Sequence, residues 1–177
     1  MYQMSNLLTK PRSKKIVGAA AARRKSGPPR VKITGDGVVR YCAGLAAGKK
    51  ASAGFSPANL IEMIHLGLPV QELQDLQARL AVPMAQLVPR LGISKATLHR
   101  RKAAGRLGAA ESDRVVRYAR LMGKAVAVLE SEESARQWLT SPQFGLGGAV
   151  PLDYAETEIG AREVEDLLGR IEYGVYS

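Results

Sequence analysis

Cysteine is nearly missing from this chain. Cys42 stands alone, which excludes an internal disulfide and any cysteine-rich zinc site and fits a reducing cytoplasm. Long apolar runs are missing too: no stretch approaches the roughly 18 to 20 residues that a membrane span requires, so no membrane partner is expected. The two histidines, His65 and His99, lie far apart, and His65 has no second ligand-type side chain at a helical spacing. With no Gly-rich phosphate loop either, the sequence offers no nucleophile with a base, no paired catalytic carboxylates and no metal cluster. Neither an enzyme nor a bound cofactor or metal is expected. Acidic residues are scarce at the start, where Asp36 alone faces twelve Lys or Arg in the first fifty positions.

What is present is charge in blocks. Of the net +10, residues 1–50 hold +11, 51–82 hold −2, 83–124 hold +8 and 125–177 hold −7. Basic zones attract the phosphate backbone of nucleic acid through a salt-dependent, sequence-independent attraction. An acidic end is repelled by it. Two kinds of partner are therefore expected.

The first 54 residues show little apolar periodicity and are rich in Gly, Ala, Ser, Pro, Lys and Arg, which reads as a basic, flexible arm. Extra phosphate contacts and a solvated leader without a partner are both open to it. Ile16–Ala22 is too short and Ala-rich for a signal peptide, and Arg23 and Arg24 follow directly. Val31–Tyr41, with its Gly35-Asp36-Gly37 turn, is compatible with a weak hairpin or a short helix, and both Met1 and Met4 can serve as the start.

Helical order begins at Ser56-Pro57, an N-cap followed by Pro at the first helical position. This helix ends at Gly67 and has Leu60, Ile61, Ile64 and Leu66 as its apolar side. A second runs from Pro69 to Ala81 with Leu73, Leu76 and Leu80 inward, broken by Pro83. From about Ala110 to Glu130, Val115, Ala119, Met122, Val126 and Leu129 form one narrow stripe, a core or dimer seam. Arg114, Arg117 and Arg120 lie opposite and extend the basic surface. Ser131 caps the next helix, with Glu132 and Glu133 in its first turn and Trp138 and Leu139 inward. The last helix, about Thr157 to Ile171, buries Val164, Leu168 and Ile171 and turns Glu163, Glu165 and Asp166 outward.

Leu87 to Arg106 carries the sharpest signal. Leu87, Val88, Leu91, Gly92, Ile93, Ser94 and Leu98 stand at helix-turn-helix offsets: two apolar residues closing one helix, a Gly turn, an N-cap and an inward Leu. Gly92 supplies a left-handed turn at no steric cost, and Ser94 caps the second helix. With Leu98 inward, Lys95, Ala96, His99 and Arg100 face out, followed by Arg101, Lys102 and Arg106. Ser94, Lys95, Thr97, His99, Arg100, Arg101, Lys102 and Arg106 form the candidate DNA-binding set. A merely solvated basic face is the alternative, against which stands the coincidence of turn, cap and charge. Pro89 inside the first helix predicts that it is short or bent.

Trp138-Leu139, Ser141-Pro142, Leu146-Gly147-Gly148, Pro151-Leu152, Thr157-Glu158, Gly160 to Ile171 and the Gly174-Val175-Tyr176 ending together resemble the Xre/MbcA/ParS-type antitoxins of RES-Xre systems. The resemblance covers about Pro57 to Ser177. It departs from the family at Phe144, Ala149 and Asp153-Tyr154. It implies an all-α fold: a helical Xre-like helix-turn-helix domain (55–124) that binds promoter DNA, then a small helical toxin-binding domain (125–177), after the basic arm (1–54). The implied partners are operator DNA, a RES-type NAD-depleting toxin whose NAD cleft the C-terminal region occludes, and a second copy of the chain. Both a homodimer and a toxin–antitoxin hetero-oligomer are expected.

Glu165, Arg170, Glu172, Tyr173, Gly174, Val175, Tyr176 and Ser177 are the candidate toxin contacts. A cleft for a nucleotide pyrophosphate is basic, so the Ser177 carboxylate and Glu172 are expected to replace phosphate charge while Tyr173 or Tyr176 fills a base pocket. A tail that only completes the packing of the last helix is the alternative. Two other functions stay open: a regulator without a toxin, its C-terminal domain serving dimerisation, and a toxin-binding module whose helix-turn-helix is vestigial, at which Pro89 hints.

Overall fold

In a computed structural model, residues 37–46 and 56–175 are described. They form α1 (Val38–Ala46), α2 (Pro57–Leu66), α3 (Val70–Leu80), α4 (Met84–Arg90), α5 (Lys95–Ala104), α6 (Ala109–Leu129), α7 (Glu132–Thr140), a 3-10 turn (Phe144–Leu146), α8 (Pro151–Tyr154) and α9 (Glu158–Glu172). Among the described residues there is no strand, only one isolated antiparallel bridge between Pro69 and Arg106. The all-α expectation holds.

Helix α6 is the axis of this arrangement. Val115, Val116, Tyr118, Ala119, Leu121, Met122 and Ala125 are buried around it, against α1, α2, α3, α7 and α9. It is thus no single-stripe helix but one enclosed on most sides. It also runs unbroken through the boundary expected between Lys124 and Ala125, and all described residues fall in one compact unit.

The expectation of an arm up to residue 54 is corrected by α1. Val38, Val39, Tyr41 and Cys42 are buried, so apolar spacing hidden among basic and small residues builds part of the core. The helix has no cap of its own. The buried carboxylate of Glu72, on α3, accepts from the Val38 and Val39 backbone N–H groups at 2.9 Å each. A carboxylate at a helix N-terminus satisfies orphan donors and meets the dipole favourably. Residues 1–36, with the signal-peptide reading and most of the Gly35–Gly37 turn, lie outside the described residues, as do 47–55.

α2 starts as expected, Ser56 Oγ accepting from Asn59 N–H at 3.2 Å. Its inward face differs: Met63 is buried, Leu60 and Ile64 pack partly, and Ile61 and Leu66 are exposed at 55% and 48%. Leu73, Leu76 and Leu80 of α3 are inward as expected. Trp138 and Ile171, expected inside, are half-buried beside the buried Leu139 and Leu168.

The crossing between residues 67–70 and 105–108 fixes how α2 and α3 meet α5 and α6. Leu107 N–H donates to Leu68 O (2.8 Å), Val70 N–H to Gly105 O (3.1 Å) and Leu68 N–H to Ser112 Oγ (2.8 Å). Gly67 has φ +83, and a Cβ there would stand 2.1 Å from Leu107 O. Gly105 has φ +71 but open space around it. Gly105→Ala is therefore expected to cost about 1 to 2 kcal/mol, the penalty of left-handed backbone. Gly67→Ala should cost clearly more, because main chain must also move. Urea unfolding of both variants measures this, and equal losses would refute the close approach.

Candidate nucleic-acid interface and C-terminal face

Backbone chemistry at the end of α4 builds the helix-turn-helix. Gly92, at φ +62, donates to Pro89 O (2.7 Å) and Ile93 N–H donates to Val88 O (3.0 Å). This crossed pair is a Schellman ending, which needs a left-handed residue at its centre. Pro89 sits in a helix of only seven residues, short as predicted. Leu87, Val88, Leu91 and Ile93 are buried, and Ser94 Oγ accepts from Thr97 N–H at 3.1 Å, capping α5. The Arg114 guanidinium donates to Leu91 O at 2.9 Å, a cation against the closing turn of α4.

No residue of α5 is fully buried, and Leu98 packs only partly on the core. Ser94, Lys95, Ala96, His99, Arg100 and Lys102 are exposed. Arg101 is held differently: its Nε donates to both Glu111 carboxylate oxygens, at 3.0 and 2.8 Å, while Glu111 accepts from Gly108 N–H at 2.6 Å. Arg106 donates twice to Gly67 O, at 3.1 and 2.6 Å. These two candidates brace the C-terminal end of α5, and Thr97 belongs to its N-terminal cap. Lys95, His99, Arg100 and Lys102 remain as outward groups on one helix.

The expectation that Arg114, Arg117 and Arg120 widen the basic surface is corrected. Arg117 pairs with Asp113 and Glu158, both at 3.0 Å, and donates to Glu156 O. Arg120 pairs with Glu165 at 3.0 Å. Arg90 pairs with Asp153, and Arg79 with Glu132. Part of the basic middle is thus neutralised by the acidic end of the same chain. Tyr118 adds a buried tie, its hydroxyl donating to Leu152 O at 2.8 Å. Burial pushes its phenol pKa well above the usual range, so the group stays a donor.

At the far end, α9 closes on a second Schellman ending. Val175 N–H donates to Arg170 O (2.9 Å), Gly174 N–H to Ile171 O (3.2 Å), and Gly174 has φ +66. Tyr173 and Val175 are exposed at 79% and 54%, with Glu172, Arg170 and Gly174 exposed beside them. The tail up to Val175 is directed by backbone bonds rather than by packing. Glu165, expected outward, is half-buried against Arg120, and Tyr176 and Ser177 lie outside the described residues. One residue that the sequence reading did not select is Phe144, 98% exposed on the 3-10 turn. Its only sequence signal was its departure from the family pattern. Nearby, Leu129, Ser134, Gln137, Trp138, Ser141 and Gln143 line a shallow groove of about 350 Å³.

The lone thiol, Cys42, is buried, and burial pushes its pKa up to about 12, which suits packing rather than nucleophilic chemistry. Among the described residues, no group of three or more His, Cys, Asp or Glu is placed to hold a metal ion, and no helix is long and apolar enough to cross a membrane.

Residues 60–120 match the family model of the antitoxin Xre-like helix-turn-helix domain, and residues 124–174 that of the antitoxin Xre/MbcA/ParS C-terminal toxin-binding domain. An antitoxin Xre of Yersinia enterocolitica is 36% identical over 120 residues, 67% of this chain and 81% of the relative. An antitoxin Xre of Photorhabdus laumondii is 33% identical over 124 residues, 69% of this chain and 84% of the relative. A Sphingobium protein named Prs ADP-ribosylating antitoxin is 28% identical over 138 residues, 72% of this chain and 87% of the relative. With an enclosed α6, an exposed basic α5 and a Schellman ending after α9, and with relatives named as antitoxins, the chain belongs to the Xre family of antitoxins, a helix-turn-helix domain followed by a toxin-binding domain.

Proposed function

We propose that this antitoxin binds a RES-type, NAD-degrading toxin, occludes its active site with the C-terminal region, and represses its own operon as a homodimer in the cytoplasm. One observation carries the reading: a single compact unit presents an exposed cationic helix at one site and an exposed acidic and aromatic segment, Glu172 and Tyr173, at another. Lys95, His99, Arg100 and Lys102 suit the major groove, and a dimer would present two such helices to half-sites about one DNA turn apart. Glu172 suits a cleft that holds pyrophosphate, with Tyr173 against its base pocket. The name of the Sphingobium relative ties that protein to ADP-ribosylation of Prs. ADP-ribosyl transfer also consumes NAD, so transfer to a protein is a second chemistry for the toxin of this chain, and radiolabel on protein rather than on free ADP-ribose would favour it.

For the DNA face, Arg100→Ala is expected to cost about 1 to 3 kcal/mol of discrimination between operator variants. Lys102→Ala should weaken every sequence alike and lower the salt slope by about one. Gel shifts over an operator series at several salt concentrations separate these, and a uniform loss for Arg100→Ala would remove its base-reading role. Arg101→Ala should instead lower the melting temperature together with DNA affinity, because the variant leaves Glu111 without its guanidinium. A specific loss of DNA affinity at unchanged stability would return Arg101 to the phosphate contacts.

For the toxin face, deleting residues 173–177 is expected to release NAD consumption in a mixture with the toxin while operator binding persists. Full inhibition by the shortened chain would overturn the occlusion mechanism.

A further inference from the structure

We infer that Phe144 is an anchor through which this antitoxin holds its toxin, a contact additional to the tail. The inference rests on the reading that the C-terminal face receives a toxin, and it adds a second attachment point to that face.

Folding gives Phe144 nothing. At 98% exposure it contributes no burial to the core, although a buried Phe removes 150–250 Å² from water. Yet the turn that carries it is tightly specified. Leu146 N–H donates to Gln143 O (3.1 Å), Gly147 N–H to Phe144 O (2.9 Å) and Gly148 N–H to Gln143 O (3.0 Å). Gln143 N–H donates in turn to Ala149 O (3.0 Å), and the Gln143 side-chain amide donates to Trp138 O (2.9 Å) and Ser141 O (3.1 Å). The neighbouring Gly145 sits so close to α9 that a Cβ would stand 2.6 Å from Leu167 Cδ1. An aromatic held out on a fixed turn loses little conformational freedom on binding, and such pre-organised aromatics dominate interface energies.

The occupant is set by continuity. Phe144 lies inside the segment matched as toxin-binding, residues 124–174. Leu167, against which its turn rests, lies one helical turn before Ile171 and about 9 Å along the axis from Tyr173, at 1.5 Å per residue. A single partner surface therefore spans both Phe144 and the tail. Glu163, one turn before Leu167, and Asp166 beside it are exposed carboxylates, so the partner surface expected here is an apolar pocket with cationic neighbours.

The test uses the full chain and a purified RES-type toxin, with affinity and dissociation rate measured for wild type, Phe144→Ala, Phe144→Tyr and the chain lacking 173–177. Phe144→Ala should weaken binding at least tenfold, chiefly through faster dissociation, and Phe144→Tyr should restore most of it. Melting temperature and operator affinity should stay at wild-type values, since the side chain is exposed. Binding within twofold of wild type for Phe144→Ala, with loss on tail deletion, overturns the anchor and leaves the tail mechanism standing. Loss for Phe144→Ala with none on tail deletion supports the anchor and overturns the tail. Equal losses of toxin and operator binding, or a loss of self-association alone, overturn the anchor in favour of a folding or dimer role. Failure of the wild-type chain to bind overturns the anchor together with the toxin reading.

Discussion

The burial of α6 on most of its circumference is the constraint from which the other features follow. A helix of 21 residues with Val115, Val116, Tyr118, Ala119, Leu121, Met122 and Ala125 all inside must be covered by neighbours on several sides at once. Those covers come from the start of the chain (α1), its middle (α2 and α3) and its end (α7 and α9). Removing either the front or the back would strip apolar surface that costs about 25 cal/mol per Å² when wetted. The helix-turn-helix and toxin-binding segments are therefore two parts of one hydrophobic core, although family models divide them near residue 122.

Electrostatics reinforce that union without supplying most of it. Arg117 with Glu158 and Arg120 with Glu165 join α6 to α9, Arg90 with Asp153 joins α4 to α8, and Arg79 with Glu132 joins α3 to α7. Pairs of this kind, open to water on at least one side, are worth about 0–1 kcal/mol each. Their larger effect is on what remains for partners. With Arg79, Arg90, Arg117 and Arg120 engaged, the exposed cations of the described residues include Lys95, His99, Arg100 and Lys102 of α5, and the exposed carboxylates include Glu163, Asp166 and Glu172. Internal pairing thus cancels part of the charge that the middle and the end of the chain would otherwise present.

Signals written within a few residues were legible in the sequence. Ser56-Pro57 and Ser131 cap their helices, Leu73, Leu76 and Leu80 face inward, Gly92 turns left-handed and Ser94 caps α5, because each depends on neighbours in the chain. The family itself was legible for the same reason, its loop and helix motifs being contiguous. What was missed depends on distant partners. The cap of α1 is Glu72, more than thirty positions away, so its helix looked like part of an arm. Met63 rather than Ile61 faces inward because α6 decides which side of α2 is covered. The hydrogen bonds of Arg101 to Glu111 and of Arg106 to the Gly67 carbonyl likewise depend on distant or non-local partners that the sequence does not announce.

The buried Tyr118 hydroxyl shows how the two faces are held in register. It projects from α6 to the Leu152 carbonyl of α8, immediately before Asp153, whose carboxylate meets Arg90 at the end of α4. The turn that aims α5 begins at the next residues, Leu91 and Gly92, and Arg114 of α6 holds the Leu91 carbonyl. A displacement of α8 would thus act on a short, hydrogen-bonded path ending at α5, and close-packed interiors transmit such strain rather than absorb it. The angle of α5 is set jointly by the core and by the toxin-binding segment, so the helix-turn-helix of this chain is not a free-standing module with an appended tail.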